Sequence, residues 1–262
     1  VRGGALNVSG NATFNAGRVL QQTSLNATGS GSLTFNAPLV ANADNLSITS
    51  GSGGVTFNST LNSDAASTLR NLTVTATGGD VTLNATVGGT LRLDNLLINA
   101  NNLVVPNTNL SVSVAEDLVL NAGLKHVGAS NVTTTLTAGD DIYLNGAVST
   151  SSSGKLNLSL TGARYGGVIA FEGDVSTGGG NLTATAETIT FQATSNQTVN
   201  TSASTGTGGA IDFGNVSSTD TQVVLGVLNS GSAGTLTLST GGGAVNIRGS
   251  VDSASSVQRQ TE

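Results

Sequence analysis

A short phrase, Thr-Phe-Asn followed by a small residue, returns so often along this chain that it dictates a repetitive fold. It occurs as Thr13-Phe14-Asn15-Ala16, Thr34-Phe35-Asn36-Ala37 and Thr56-Phe57-Asn58-Ser59. With Leu in the aromatic slot it recurs as Thr82-Leu83-Asn84-Ala85, Val119-Leu120-Asn121-Ala122 and Tyr143-Leu144-Asn145-Gly146. Fainter copies place Phe171, Phe191, Phe213 and Ile247 in the same slot, which therefore holds every Phe of the chain. By subtraction of residue numbers, successive slots lie 21, 22, 26, 37, 24, 27, 20, 22 and 34 residues apart. Such a period marks a solenoid, in which each repeat is one turn that buries its apolar face against its neighbours.

A second phrase, Asn-Leu followed by Ser or Thr, opens stretches in which apolar and polar residues alternate, as at Asn45-Leu46-Ser47-Ile48, Asn71-Leu72-Thr73-Val74 and Asn157-Leu158-Ser159-Leu160. Period-two alternation is the pattern of a half-buried strand. Three short strands joined by tight turns fill one period, and the circuit closes into a triangular prism whose coils stack about 4.8 Å apart. The expected fold is all-β, a right-handed parallel β-helix of about 11 coils of 20–27 residues, on the order of 50 Å long. Residues 1–251 read as a single domain, and 252–262, where alternation lapses, as a polar tail or linker. Protruding loops are expected at 62–70, 124–131, 149–155 and 197–208, where Ser, Thr, Ala and Gly replace the strand pattern.

In such a prism the recurring Phe or Leu at positions 14, 35, 57, 83, 120, 144, 171, 191 and 213 is an inward side chain stacked on its copies in one column. The following Asn, as Asn15, Asn36, Asn58, Asn84, Asn121 and Asn145, reads as a structural ladder. Asn tolerates left-handed backbone at a turn, and its amide can bond to its own copy one coil away.

Composition narrows the function. Eight aromatics, no Trp, Met or Cys, and 36 Gly in 262 residues do not suit an ordinary compact globule. Nine Lys and Arg against fifteen Asp and Glu form no basic stripe interleaved with aromatics, which excludes nucleic-acid binding. No stretch approaches the roughly 20 apolar residues that span a bilayer. The chain begins with Val and shows no signal peptide, so it reads as an excised segment of something longer. A low-charge surface of Thr, Ser, Asn and Gly without cysteine fits an extracellular or cell-surface setting, with sugars and other proteins as neighbours.

Candidate catalytic groups all have a structural reading beside them. A carbohydrate-active β-helix needs carboxylates converging on one face of neighbouring coils. The best pair, Asp140-Asp141, follows Gly139 and precedes a strand, so it reads as a turn, and Glu116-Asp117 stands one coil earlier in the same place. No metal, cofactor or catalytic set is assigned: His126 is the sole histidine and reads as solvated in the 125–130 loop. The runs Gly178–Gly180 and Gly241–Gly243 lack the Lys and helix of a phosphate loop.

With 27 Asn and 68 Ser plus Thr, chance would give about seven Asn-x-Ser/Thr sequons. The chain has fourteen, at Asn7, Asn11, Asn26, Asn45, Asn58, Asn71, Asn84, Asn109, Asn131, Asn157, Asn181, Asn196, Asn200 and Asn215, which are candidate glycosylation sites. Alternation accounts for some of the excess, because Asn and the hydroxyl residue two places on share an outward face.

Through Thr-Phe-Asn-Ala, Gly79-Asp80-Val81-Thr82-Leu83-Asn84-Ala85 and Ala138-Gly139-Asp140-Asp141-Ile142-Tyr143-Leu144-Asn145-Gly146, nearly the whole chain resembles the shaft of a bacterial filamentous-haemagglutinin-type exoprotein. The resemblance implies export across the outer membrane by a partner transporter, and service as an adhesin, a biofilm component or a toxin-delivery stalk, some members carrying sugars on such sequons. Its amino-terminal secretion domain is not recognisable here. The expectation is a non-enzymatic adhesin shaft or a fibre subunit whose uncapped ends stack head to tail on neighbouring copies. The alternatives are a carbohydrate-active enzyme, and an ice- or surface-binding solenoid using Thr arrays such as Thr73-Thr75-Thr77 or Thr133-Thr135-Thr137, against which the variable coil length counts.

Overall fold

Strands form wherever Leu, Val, Ile or Phe alternates with Ser, Thr or Asn. In Leu46–Ser50, Leu72–Ala76 and Val132–Thr137, for example, every second residue is buried and the ones between are half-buried. The structure, a computed structural model, describes residues 6–15, 17–21, 24–68, 70–191, 196–214, 222–225 and 235–253. Among them all strand pairings are parallel, and the strands stack as a β-solenoid of about eight turns.

The strands fall on three faces. The first carries Leu6–Ser9, Leu25–Thr28, Leu46–Ser50, Leu72–Ala76, the opening stretches of Leu96–Val105 and Leu118–His126, then Ile142–Leu144, Val168–Phe171, Thr188–Phe191, Gln222–Leu225 and Ser250–Ser253. The second carries Ala12–Phe14, Leu33–Phe35, Val55–Phe57, Val81–Leu83, the closing stretches of the same two long strands, Val148–Thr150, Val175–Ser176, Gln197–Asn200 and Leu236–Ser239. The third runs from Val19–Gln21, Leu39–Ala41 and Leu61–Ser63, through single bridges at Val87, to Leu110–Ser113, Val132–Thr137, Leu156–Thr161, Leu182–Thr185, Ile211–Phe213 and Val245–Ile247. At one corner Leu96–Val105 and Leu118–His126 pass from the first face to the second without a break, and their pairing shifts register between Asn99 and Asn102. A bulge of this kind bends a strand while keeping its ladder.

The repeated phrase occupies three columns rather than one. Phe14, Phe35, Phe57 and Leu83 stack at the end of the second face. Leu120, Leu144, Phe171 and Phe191 stack at the end of the first. Phe213 lies on the third, paired with Ala184 and Ile247. The physical reason is that every face ends on the same demand, a large inward side chain followed by a residue that can turn the corner. A phrase meeting that demand fits any face, so the 37-residue step from Leu83 to Leu120 crosses faces, and the 22-residue step from Phe191 to Phe213 stays within one coil.

Stacking follows coil spacing. Phe14 and Phe35 lie 4.8 Å apart and Phe35 and Phe57 5.0 Å, nearly parallel, as do Phe171 and Phe191 at 5.1 Å. Phe191 and Phe213, on different faces, meet across the interior at 5.5 Å with a 54° tilt. Each such large side chain removed from water contributes about 1.5–3 kcal/mol. The interior is otherwise Leu, Val, Ile and Ala, with few buried polar residues. Thr134 is one, inward between Leu110 and Leu158, with its Oγ1 lacking a hydrogen-bond partner.

These positions generate opposite expectations. Phe35→Ala, emptying the middle of a ring stack, lowers stability by about 3–5 kcal/mol, whereas Thr134→Val, removing an unsatisfied buried hydroxyl, raises it by about 1 kcal/mol. Urea unfolding followed by circular dichroism at the β-strand band measures both, and a destabilised Thr134→Val would contradict the inward placement.

Candidate functional site

Side chains at the corners hold coil to coil. Asn36 Nδ2 donates to Asn15 Oδ1 at 2.6 Å, Asn58 to Asn36 at 2.7 Å and Asn84 to Asn58 at 2.6 Å. A separate ladder at the other corner joins Asn121 to Asn99 and Asn145 to Asn121, each at 2.7 Å. Asn99 is a member that sequence reasoning missed, although Ile98-Asn99-Ala100 carries the phrase with Ile in the aromatic slot. The second ladder stops where Glu172 replaces Asn, leaving Asn145 Oδ1 buried without a partner. None of these Asn has a positive φ; among described non-glycine residues only Asn45 does, at 54°. Their role is therefore amide bonding between coils and not left-handed turning.

A third corner is acidic. Backbone N–H groups of Asp94, Glu116, Asp140, Ala163 and Glu187 donate in turn to the carbonyls of Arg70, Asp94, Glu116, Asp140 and Ala163, one coil below. Beside them runs a column of side-chain acceptors: Asn71 Oδ1 takes the Asn95 N–H, Asn95 Oδ1 that of Asp117, Asp117 Oδ1 that of Asp141, and Asp141 Oδ1 that of Val168 at 2.7 Å. Glu116-Asp117 and Asp140-Asp141 are thus successive copies of one corner. The Tyr143 hydroxyl donates to Asp141 Oδ2 at 2.6 Å, and that bond, then burial and the neighbouring carboxylates, pushes the phenol up to about 12. The Asp141 charge, with desolvation and Asp117 behind it, raises Asp140 above the usual carboxylate range. Near the start of this corner Arg70 bridges Asp44 at 2.6 Å and Asp64 at 2.8 Å; its hydrogen bond holds Asp64 below the usual range, against the opposing effect of burial.

The third face carries a flat polar lattice. Outward positions align as Asn109–Thr133–Asn157–Asn181, Ser111–Thr135–Ser159–Thr183 and Ser113–Thr137–Thr161–Thr185, without a charged side chain among them. Leu110, Thr134, Leu158 and Leu182 pair successively, so these coils step by a constant 24 residues. The variable coil length is confined elsewhere. Thr73 and Thr75 lie outside any such lattice, flanked on neighbouring coils by Ser47, Thr49, Leu97 and Asn99.

His126 departs from expectation. It ends the strand Leu118–His126 and is wholly buried, its ring nitrogens 2.9 Å from the carbonyl oxygens of Val105 and Ser130. Alternation carries it inward beside Val105, and Gly128 and Gly154 leave the room, since a Cβ on either would lie 3.0 or 2.6 Å from the ring. The protruding portion of 124–131 is accordingly only 127–131, and the strands Leu61–Ser63, Val148–Thr150 and Gln197–Asn200 likewise claim the openings of the other three expected loops. The Gly-rich runs are corners as well: the Thr177 and Thr240 hydroxyls donate to the Gly180 and Gly243 carbonyls at 2.6 and 2.7 Å.

Of the fourteen sequon asparagines, Asn215 lies outside the described residues, and the other thirteen all engage their amides. Asn26, Asn58, Asn71 and Asn84 donate through Nδ2 to the Asn one coil below, so Asn7 and Asn45 are acceptors. Asn11, Asn109, Asn131, Asn157, Asn181 and Asn196 accept the backbone N–H of Ser32, Thr133, Lys155, Asn181, Ala210 and Thr235 through Oδ1. Asn200 Oδ1 accepts the Ser202 N–H. The sequon excess thus coincides with coil-to-coil bonding. The last strand, Ser250–Ser253, extends into the segment read as a tail, and 254–262 lie outside the described residues.

Among the described residues no group of three or more His, Asp or Glu is arranged to hold a metal ion, and no helix is long and apolar enough to cross a membrane. Compared with protein-family models, curated proteins and solved structures, the chain has no significant match.

The Tyr143–Asp141 bond is open to direct titration. A phenol raised from 10 to about 12 stabilises the fold fully below its ordinary value, a contribution lost as pH rises through that interval. In a Tyr165→Phe variant, where Tyr143 is the one remaining tyrosine, ultraviolet absorbance is expected to report ionisation near pH 12, and Asp141→Asn to move it downward.

Proposed function

We propose that the chain is a secreted, non-enzymatic structural protein: a right-handed parallel β-helix of about eleven coils that serves as the shaft of a surface adhesin or as a fibre subunit assembling end to end. The observation carrying this reading is that one bonding pattern joins every coil to the next through backbone ladders, stacked rings and Asn columns, so the molecule is built to extend along one axis. A coil from another copy can continue the same pattern. Right-handedness is supported by the strong preference of parallel crossover connections for that hand, and the coil number by the strands along the first face, counting incomplete turns.

The reading places the protein outside the cell or on its surface. An outer-membrane transporter exports it, and its partners are neighbouring copies or host glycans and proteins met by the outward Thr, Ser and Asn positions. The uncharged 24-residue lattice on the third face favours a second reading, a solenoid that binds an ordered surface such as ice.

Electron microscopy of the isolated protein tests the fibre: filaments growing with concentration are expected, and discrete rods of about 50 Å at high concentration would remove end-to-end assembly. Intact-mass and peptide analysis of native material tests glycosylation. Sugar is expected on Asn11, Asn109, Asn131, Asn157, Asn181 or Asn196, whose Nδ2 is not a rung of a ladder, and polypeptide mass alone would remove it.

A further inference from the structure

The Phe rings face inward, and the chain's two tyrosines, Tyr143 and Tyr165, stand at the acidic corner. Tyr165 is 75% exposed on the loop 163–167 between Leu156–Thr161 and Val168–Phe171. That loop lies in a long coil: the step from Ile142 to its partner Ile169 is 27 residues, against 24 for the coil before and 20 for the one after.

The loop is braced at its base. The Ala163 N–H donates to the Asp140 carbonyl at 2.9 Å, the Gly166 N–H to the Glu187 carboxylate, and the Thr188 N–H to the Gly167 carbonyl at 3.0 Å. Gly166 takes a φ of +83°, which a side chain would resist. At the tip the Arg164 guanidinium sits 5.5 Å from the centre of the Tyr165 ring, within cation–π range. Neither Arg164 nor the Asp140 carboxylate has an ion-pair or hydrogen-bond partner among the described side chains. The other large exposed apolar residues, Val127, Val245 and Ile247, belong to other segments, so Tyr165 has no apolar surround of the kind a protein hot spot uses.

We propose that Tyr165, Arg164, Asp140 and Glu187 form a binding site for a neutral sugar residue of an oligosaccharide. A pyranose presents a C–H face that packs on an aromatic ring and a rim of hydroxyls. Asp140 and Glu187 accept from those hydroxyls, and Arg164 donates to a hydroxyl or ring oxygen. A neutral sugar fits better than an acidic one, because Asp140, Asp141 and Glu187 outnumber Arg164. The proposal rests on the reading of the outer surface as the contact surface, and not on export or end-to-end assembly.

The test is a printed array of neutral and acidic oligosaccharides, followed by titration of the strongest neutral ligand against tyrosine fluorescence in a Tyr143→Phe background. With no Trp in the chain, that signal comes from Tyr165 alone. Expected are retention of neutral glycans, a fluorescence change on titration, about tenfold weaker array binding for Tyr165→Ala and near-native binding for Tyr165→Phe. Circular dichroism checks that both variants fold. Unchanged binding by Tyr165→Ala overturns the site while leaving a glycan-binding shaft; retention of acidic glycans alone, or of none, overturns it outright. Microscopy of filaments judges the shaft independently.

Discussion

Parallel stacking of coils at the spacing of backbone hydrogen bonds governs everything else in this molecule. Once Leu110 pairs with Thr134 and Thr134 with Leu158, each side chain must meet whatever occupies its place one coil above and below. Rings then lie on rings, amides on amides and carboxylates beside carboxylates. The first two associations are favourable, the rings gaining buried contact and the amides a donor for each acceptor. The third is not, and the raised Asp140 shows what repetition of an acidic corner costs.

The same constraint separates what the sequence could reveal from what it could not. Strand alternation is local, and it disclosed an all-β parallel solenoid because inward and outward residues differ in kind. Which face a given phrase belongs to is not local. Phe57, Leu120 and Phe213 carry similar neighbours and end three different faces, since the requirement at every corner is alike. Spacing misled for the same reason, and noticing Ile98-Asn99-Ala100 would have divided the 37-residue step and exposed the change of face.

His126 illustrates a second limit. Its neighbours Lys125, Gly128, Ala129 and Ser130 look like a surface loop, and nothing local announces that the strand runs on to residue 126. Burial there depends on Val105 one coil below and on the space left by Gly154 one coil above, contacts visible only once the coils are assembled. The acidic corner was partly legible: Glu116-Asp117 and Asp140-Asp141 showed themselves as copies, but Tyr143 and the loop that raises Tyr165 gave no signal in a chain so poor in aromatics.

The bulged passage of Leu96–Val105 and Leu118–His126 from one face to the next also bears on mechanics. In a solenoid each coil is held only by its neighbours, so unwinding advances as a front. Most coils offer that front three short ladders with corners between, which can separate singly and in turn. Here two faces are joined in a single continuous ladder, from Leu96–Leu118 to Val105–His126, and must yield together. The rod therefore contains a built-in ratchet stop near its middle, the place where a chain pulled from either side would hold longest.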